Sequence, residues 1–168
     1  KIASPDILHK TEVGGVRVGL SSEEEVERAF LEITSNASRL MPKALIWGVS
    51  VQEMVRKGKE VIAGMSKDHN FGPLLMFGLG GIYVEVLKDV SFRVAPVGKA
   101  DVGRMIMEIK SFPLLKGVRG EPPADIEALM EAIQRLSQLV TDFPEIIEMD
   151  INPLVVLPKG EGVIAIDA

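Results

Sequence analysis

An α+β domain is what the sequence predicts, and three observations predict it. Strand-like apolar runs are followed by helix-periodic segments and a closing hairpin signature, an order unlike the βαβα alternation of a doubly wound sheet. The composition, 46% hydrophobic and 26% charged, is that of an ordinary globular protein. The length, 168 residues, is sufficient for one domain with a real core.

Taken in order, residues 13–20 alternate apolar and polar side chains around Arg17 after Gly14-Gly15, which reads as a strand leaving a glycine turn. Ser21-Ser22-Glu23-Glu24-Glu25 then supplies a capping serine with a glutamate three residues on. A helix should start there, with Val26, Phe30, Ile33 and Ala37 as its apolar stripe and Pro42 at its exit. Residues 45–55, rich in Ile, Val and Trp, read as a buried strand that turns at Lys57-Gly58-Lys59 and pairs with residues 60–65. The polar, glycine-containing stretch 52–58 is the candidate hinge between a small lobe and a larger one. Phe71-Gly72-Pro73 opens the run 74–77, Gly78-Leu79-Gly80-Gly81 interrupts it before 82–87, and a strand over 92–97 follows. Residues 100–109 and 124–140 have helical periodicity, the second preceded by Pro122-Pro123, where proline is tolerated.

Composition also removes function classes. A net charge of −5 and a pI near 5.2 argue against a nucleic-acid binder with a broad basic surface, although a local basic pocket for phosphate is compatible with them. The absence of cysteine excludes disulfides, thiolate metal sites and a cysteine nucleophile, and fits a cytoplasmic location. The longest apolar runs, such as 74–77 and 151–157, are far shorter than a membrane span, and no signal peptide is visible. The opening Lys1-Ile2-Ala3, without Met, is what a fragment would show.

The end of the chain carries the strongest chemical signal. Glu148-Met149-Asp150-Ile151-Asn152-Pro153-Leu154 and an apolar run precede a turn with Lys159 and Gly160, then Ile164-Ala165-Ile166-Asp167. Paired as a hairpin, these strands bring Asp150, Asn152 and Asp167 towards one another. Three oxygen donors suit Mg²⁺, which takes one or two carboxylates and otherwise water and nucleotide phosphate. An isolated D-x-N-P also serves simply to end a strand with an Asx-turn.

A second constellation opens the chain: Ser4-Pro5-Asp6-Ile7-Leu8-His9-Lys10-Thr11-Glu12-Val13-Gly14-Gly15. Gly14 and Gly15 would let backbone N–H groups approach an anion, Lys10 and Lys1 supply charge, and the His9 imidazole can accept a phosphoryl group. A glycine-bearing hairpin with a surface histidine explains the same residues without a ligand. His69 lies among turn formers and receives no role. Gln52-Glu53-Met54-Val55 offers backbone polar groups beside an apolar side chain, as adenine requires, and Glu60 is placed to reach a ribose hydroxyl; an edge strand running into a charged turn is equally economical. Arg93 within an apolar strand calls for an anionic partner, Glu85 or a phosphate, with Arg119 a weaker candidate.

These blocks, together with Met76-Phe-Gly-Leu-Gly-Gly-Ile-Tyr-Val-Glu, Lys88-Asp-Val-Ser-Phe-Arg and Leu115-Lys-Gly-Val-Arg-Gly, resemble the ATP-grasp β subunit of ADP-forming acyl-CoA synthetases along essentially the whole chain. The resemblance implies an ATP-grasp fold in which two lobes clasp a nucleotide: a partial small lobe, 1–51, with the N-terminal part absent, an adenine-binding hinge, 52–58, and a large lobe, 59–168. It implies Mg²⁺ held by Asn152 and Asp167 beside Asp150, and ATP or ADP as substrate contacted by Lys1, Lys10, Gly14, Gly15, Gln52, Glu53, Met54, Val55 and Glu60. His9 then relays a phosphoryl group between a CoA-binding α subunit and ADP in an assembly of the α2β2 type, with Arg93 offsetting charge. A non-catalytic ATP-grasp module of a larger fused protein, such as a protein acetyltransferase, is the competing expectation. A carboxylate–amine ligase is disfavoured by the H-K-x-x-x-G-G block.

Overall fold

A computed structural model describes residues 1–55, 58–118 and 120–168. The chain divides into two compact units, Lys1–Arg56 and Lys57–Ala168. Lys57 of the expected turn, Arg56 and Lys57 of the expected hinge 52–58, and the candidate Arg119 lie outside the described residues.

In the first unit, helix α1 (Glu23–Leu40) packs against a two-stranded antiparallel sheet of β1 (Ile2–Ala3) and β2 (Gly48–Val49). Ser22 caps the helix through its Oγ, which accepts from Glu25 N–H at 3.3 Å. The Glu25 carboxylate reaches back one residue further than in the usual box and accepts from Ser21 N–H at 2.7 Å. Ala29, Ile33 and Ala37 form the buried stripe, and Ile33 and Ala37 pack with Ile2, Ile7 and Val13, whereas Phe30 is exposed.

Two expected strands do not form here. Residues 16–20 run along the surface with no ladder partner among the described residues, and Val18 and Leu20 are exposed. Of 45–55, only Gly48–Val49 pairs, because β1 is the single strand beside it: Trp47 N–H donates to Ala3 O, and the ladder ends where Ser50 N–H donates to Lys1 O. Leu45, Trp47 and Val51 are consequently exposed rather than buried. Strand propensity needs a neighbouring strand to be realised.

The second unit holds a five-stranded antiparallel sheet in the order β5-β4-β3-β6-β7, with β3 Lys59–Asp68, β4 Gly72–Leu79, β5 Val90–Val94, β6 Glu148–Val156 and β7 Val163–Ala165. Strand β3 pairs with β4 and β6, not with the 45–55 segment that the sequence suggested. A short helix, α2 (Ile82–Glu85), follows β4, and β5 stops before the residues expected to extend it to 97.

Helices α3 (Lys99–Glu108) and α4 (Ile126–Asp142), with a 3-10 turn at Phe112–Lys116 between them, contribute to one core with the sheet. Period-two alternation sends Val61, Ala63 and Met65 of β3 and Leu75, Phe77 and Leu79 of β4 into that core, where they meet Val102, Met105 and Ile106 of α3 and Leu129, Ile133, Leu136 and Val140 of α4. Each fully buried large side chain among these contributes about 1.5–3 kcal/mol. Among the described residues no helix is long and apolar enough to cross a membrane.

Candidate functional site

The C-terminal hairpin forms as expected. Leu154 faces Ala165, Val155 faces Ile164 and Val156 faces Val163, and the pairing continues beyond β7 as Ile166 N–H to Pro153 O and Asn152 N–H to Asp167 O, both 3.0 Å. The backbones of Asn152 and Asp167 are thereby direct cross-strand neighbours.

Strand β6 reaches this pairing through a bulge. Val61 faces Leu154 and Ala63 faces Ile151, so one residue of β3, Ile62, spans two of β6, Asn152 and Pro153. Both Ile151 and Leu154 can then pack on the core while Asn152 is aimed elsewhere. Proline cannot donate to the ladder, so Asn152-Pro153 is the chemically sensible place for the irregularity.

Asp150 lies opposite Gly64, and Glu148 opposite Ser66, on the sheet face away from the helices. A Cβ on Gly64 would sit 3.3 Å from Asp150 Oδ1 and 3.0 Å from Met149 O, so the missing side chain leaves room for the carboxylate. Desolvation against the sheet raises the Asp150 carboxyl above its ordinary range, a hydrogen bond from Asn152 partly counters this, and the like charge of Glu148 adds to it. A nearby cation would relieve both desolvation and repulsion.

Among the described residues no three His, Cys, Asp or Glu side chains form a cage for a metal. The donors carried by the hairpin, Asp150 and Asn152 on β6 and Asp167 across from Asn152, are oxygen ligands of the kind that suits a hard cation completing its shell with water and substrate oxygens. In this respect the residues fit Mg²⁺.

Sequence reasoning missed Glu148 and Gly64. The i, i+2, i+4 spacing of Glu148, Asp150 and Asn152, and a glycine in the middle of an apolar strand, were the available signals.

His9 is exposed on a loop folded upon itself: Glu12 N–H donates to His9 O, Gly14 N–H to Thr11 O and Gly15 N–H to Lys10 O. Local packing alone accounts for both glycines. Gly14 adopts a left-handed turn at φ +63°, and a Cβ on Gly15 would lie 2.7 Å from both Ile2 Cγ2 and Lys10 O. Lys1 and Lys10 belong to the same unit and each has an interaction partner. Gln52, Glu53 and Met54 are exposed, Val55 is half-buried, and all four are irregular. Glu60, in the second unit, is exposed on β3, and its carbonyl accepts Gly80 N–H at 2.9 Å.

Arg93 is paired with Glu108 of α3, Nη2 to Oε2 at 2.8 Å; the side chain of the other expected partner, Glu85, lies outside the described residues. Its Nη1 also donates to Phe92 O. Arg93 stands on the edge strand β5, two residues from the buried Ser91, and the pair ties that edge to α3.

The fold combines helices with antiparallel sheets, and the family model described as ATP-grasp domain matches residues 1–168. The β subunit of acetate–CoA ligase (ADP-forming) I from Pyrococcus furiosus is 50% identical over all of this chain and 72% of its own length. Acetate–CoA ligase (ADP-forming) I of Archaeoglobus fulgidus is 51% identical over 98% of this chain, which spans only 24% of that longer protein. The acetyl-coenzyme A synthetase 1 of Candidatus Korarchaeum cryptofilum, solved with coenzyme A and Ca-AMPCP, superimposes with a TM-score of 0.96 at 48% identity, over 99% of this chain and 72% of that one. A second structure of that enzyme, with coenzyme A and Mg-AMPPCP and its phosphohistidine segment pointing towards the nucleotide-binding site, gives 0.84 at 46% identity, over 99% and 72%. The chain belongs to the ATP-grasp family of ADP-forming acetate–CoA ligase β subunits.

Proposed function

We propose that this chain is the nucleotide-binding part of an ADP-forming acyl-CoA ligase, in which acyl-CoA, ADP and phosphate interconvert with the free acid, ATP and CoA. The observation that carries the proposal is the hairpin pairing of Asn152 with Asp167, on the strand that also carries Asp150. These three residues would hold Mg²⁺, which when bound neutralises phosphate charge. Residues 1–51 and 59–168 would be the two lobes and 52–58 their adenine-binding hinge.

In this reading Gln52 to Val55 present backbone groups to the base, and Glu60 takes a ribose hydroxyl. Lys1, Lys10 and Arg93 offset charge on ADP and on the moving phosphoryl group, since phosphoryl transfer depends on positioning and charge more than on covalent assistance. His9 accepts a phosphoryl group from a phosphohistidine on a CoA-binding α subunit, forming a new N–P bond as the old one breaks, and passes it to a terminal oxygen of ADP. The exposure of His9 suits a group that must be reached by another polypeptide. The complex would be of the α2β2 type and would act in the cytoplasm.

The test is labelling of the assembled ligase with radioactive ATP and Mg²⁺. Acid-labile, alkali-stable label on this chain that disappears in His9→Ala is expected. Label that survives acid, or that persists in His9→Ala, would remove the relay.

A further inference from the structure

The hairpin that carries Asn152 and Asp167 has a short second strand. Strand β7 is only Val163–Ala165, at the edge of the sheet, and so few ladder bonds specify register weakly. A slip of one residue would turn Asp167 to the opposite face.

The turn between the strands is fastened from outside the hairpin. Asp125 is the N-cap of α4 and is 8% exposed. One carboxylate oxygen accepts Ala128 N–H at 3.2 Å, while the other accepts Gly160 N–H at 2.9 Å and Gly162 N–H at 3.0 Å. Both glycines have positive φ, near +90°, which turns their N–H groups towards a single anion. Backbone bonds reinforce the clasp: Asp125 N–H donates to Leu157 O, Lys159 N–H to Pro123 O and Leu157 N–H to Gly162 O.

We propose that Asp125 is a positioning residue for the metal hairpin, setting the β6–β7 register through Gly160 and Gly162 and so the placement of Asp167 beside Asn152. Its action on the metal rests on the functional reading above, while its action on the register stands independently. Four residue pairs lie between the clasped Leu157–Gly162 pair and the Asn152–Asp167 pair, so the carboxylate acts through the hairpin backbone. The N-terminus of α4 and the metal hairpin therefore move as one body.

Asparagine caps a helix as well as aspartate but is a weaker acceptor for two further N–H groups. Asp125→Asn should therefore keep α4 while loosening the turn, and Gly162→Ala attacks the same clasp from the other side. In the full-length protein that carries this chain, hydrogen exchange at the amides of Asn152 and Ile166 should accelerate at least tenfold in both variants. Mn²⁺ binding followed by electron paramagnetic resonance, and Mg²⁺ half-saturation of nucleotide binding, should weaken about tenfold, as for loss of an outer-sphere support. Unchanged exchange and unchanged metal affinity in the two variants would overturn the proposal. So would a lower melting temperature that leaves both readouts in place. Asp167→Asn separates the two ideas: if it leaves the metal dependence unaltered, the metal reading fails, and the exchange data still decide the clasp.

Discussion

Gly15→Ala isolates a packing requirement from a ligand-binding one. The new methyl group would lie 2.7 Å from Ile2 Cγ2 and 2.7 Å from Lys10 O, about 1 Å inside ordinary contact. Neither neighbour yields easily. Ile2 is 1% exposed and donates its N–H to Gly15 O at 2.7 Å, and Lys10 O accepts Gly15's own N–H at 2.8 Å. Overpacking costs about 1–3 kcal/mol and a weakened hydrogen bond about 1 kcal/mol, offset by roughly 0.4–1 kcal/mol from the stiffer unfolded chain, so a net loss of about 1–3.5 kcal/mol, centred a little above 2, is expected. For a chain of this size that lowers the melting temperature by roughly 5–10 °C. Trp47, the sole tryptophan, reports on the right place, because it belongs to the same unit and its backbone donates to Ala3 beside Ile2. Gly14→Ala is the internal control: its left-handed φ costs about 1 kcal/mol, and its contact is a movable Asn36 side chain at 3.2 Å. Fluorescence-monitored unfolding should rank Gly15→Ala below Gly14→Ala, with wild type above both. A Gly15→Ala protein within about 0.5 kcal/mol of wild type, with nucleotide affinity lost, would refute the packing argument and return Gly15 to the anion cradle.

Two further outcomes follow from the second unit. Because Asp150's native carboxyl is raised, ionising it opposes folding: the penalty is absent below the ordinary carboxylate range, grows as pH rises through the native value and is complete above it. Asp150→Asn should therefore stabilise the metal-free protein slightly at neutral pH, by about a few tenths of a kcal/mol given its exposure, and have no effect in acid; denaturant melts at both pH values check the sign. Glu108→Gln should cost less than about 1 kcal/mol, as for other partly exposed ion pairs, and leave phosphoryl transfer nearly intact. Arg93→Met should lower turnover on the order of a hundredfold if the guanidinium meets phosphate, and single-turnover kinetics of the pair would show whether Arg93 serves only to hold α3.

Local chemistry was legible without coordinates wherever it was carried by short spacings. The Ser22 cap and Glu25, the α1 positions Ile33 and Ala37, the helical period of α4 and the C-terminal hairpin all depend on contacts between residues a few positions apart, or on a turn joining adjacent strands. The same hairpin makes the backbones of Asn152 and Asp167 neighbours, with Asp150 two residues before Asn152 on β6. The apolar runs over 13–20 and 45–55 misled for the converse reason: they have the composition of strands, yet ladders require a partner that composition does not reveal. Only the tertiary structure decided that β3 pairs with β4 and β6, that Arg93 meets Glu108, that Gly15 is fixed by Ile2, and that Asp125 reaches Gly160 and Gly162. Each of these joins segments distant in sequence or on different elements. Such partners are selected by how complete surfaces pack and by which buried donors still need an acceptor, and neither condition can be evaluated one residue window at a time.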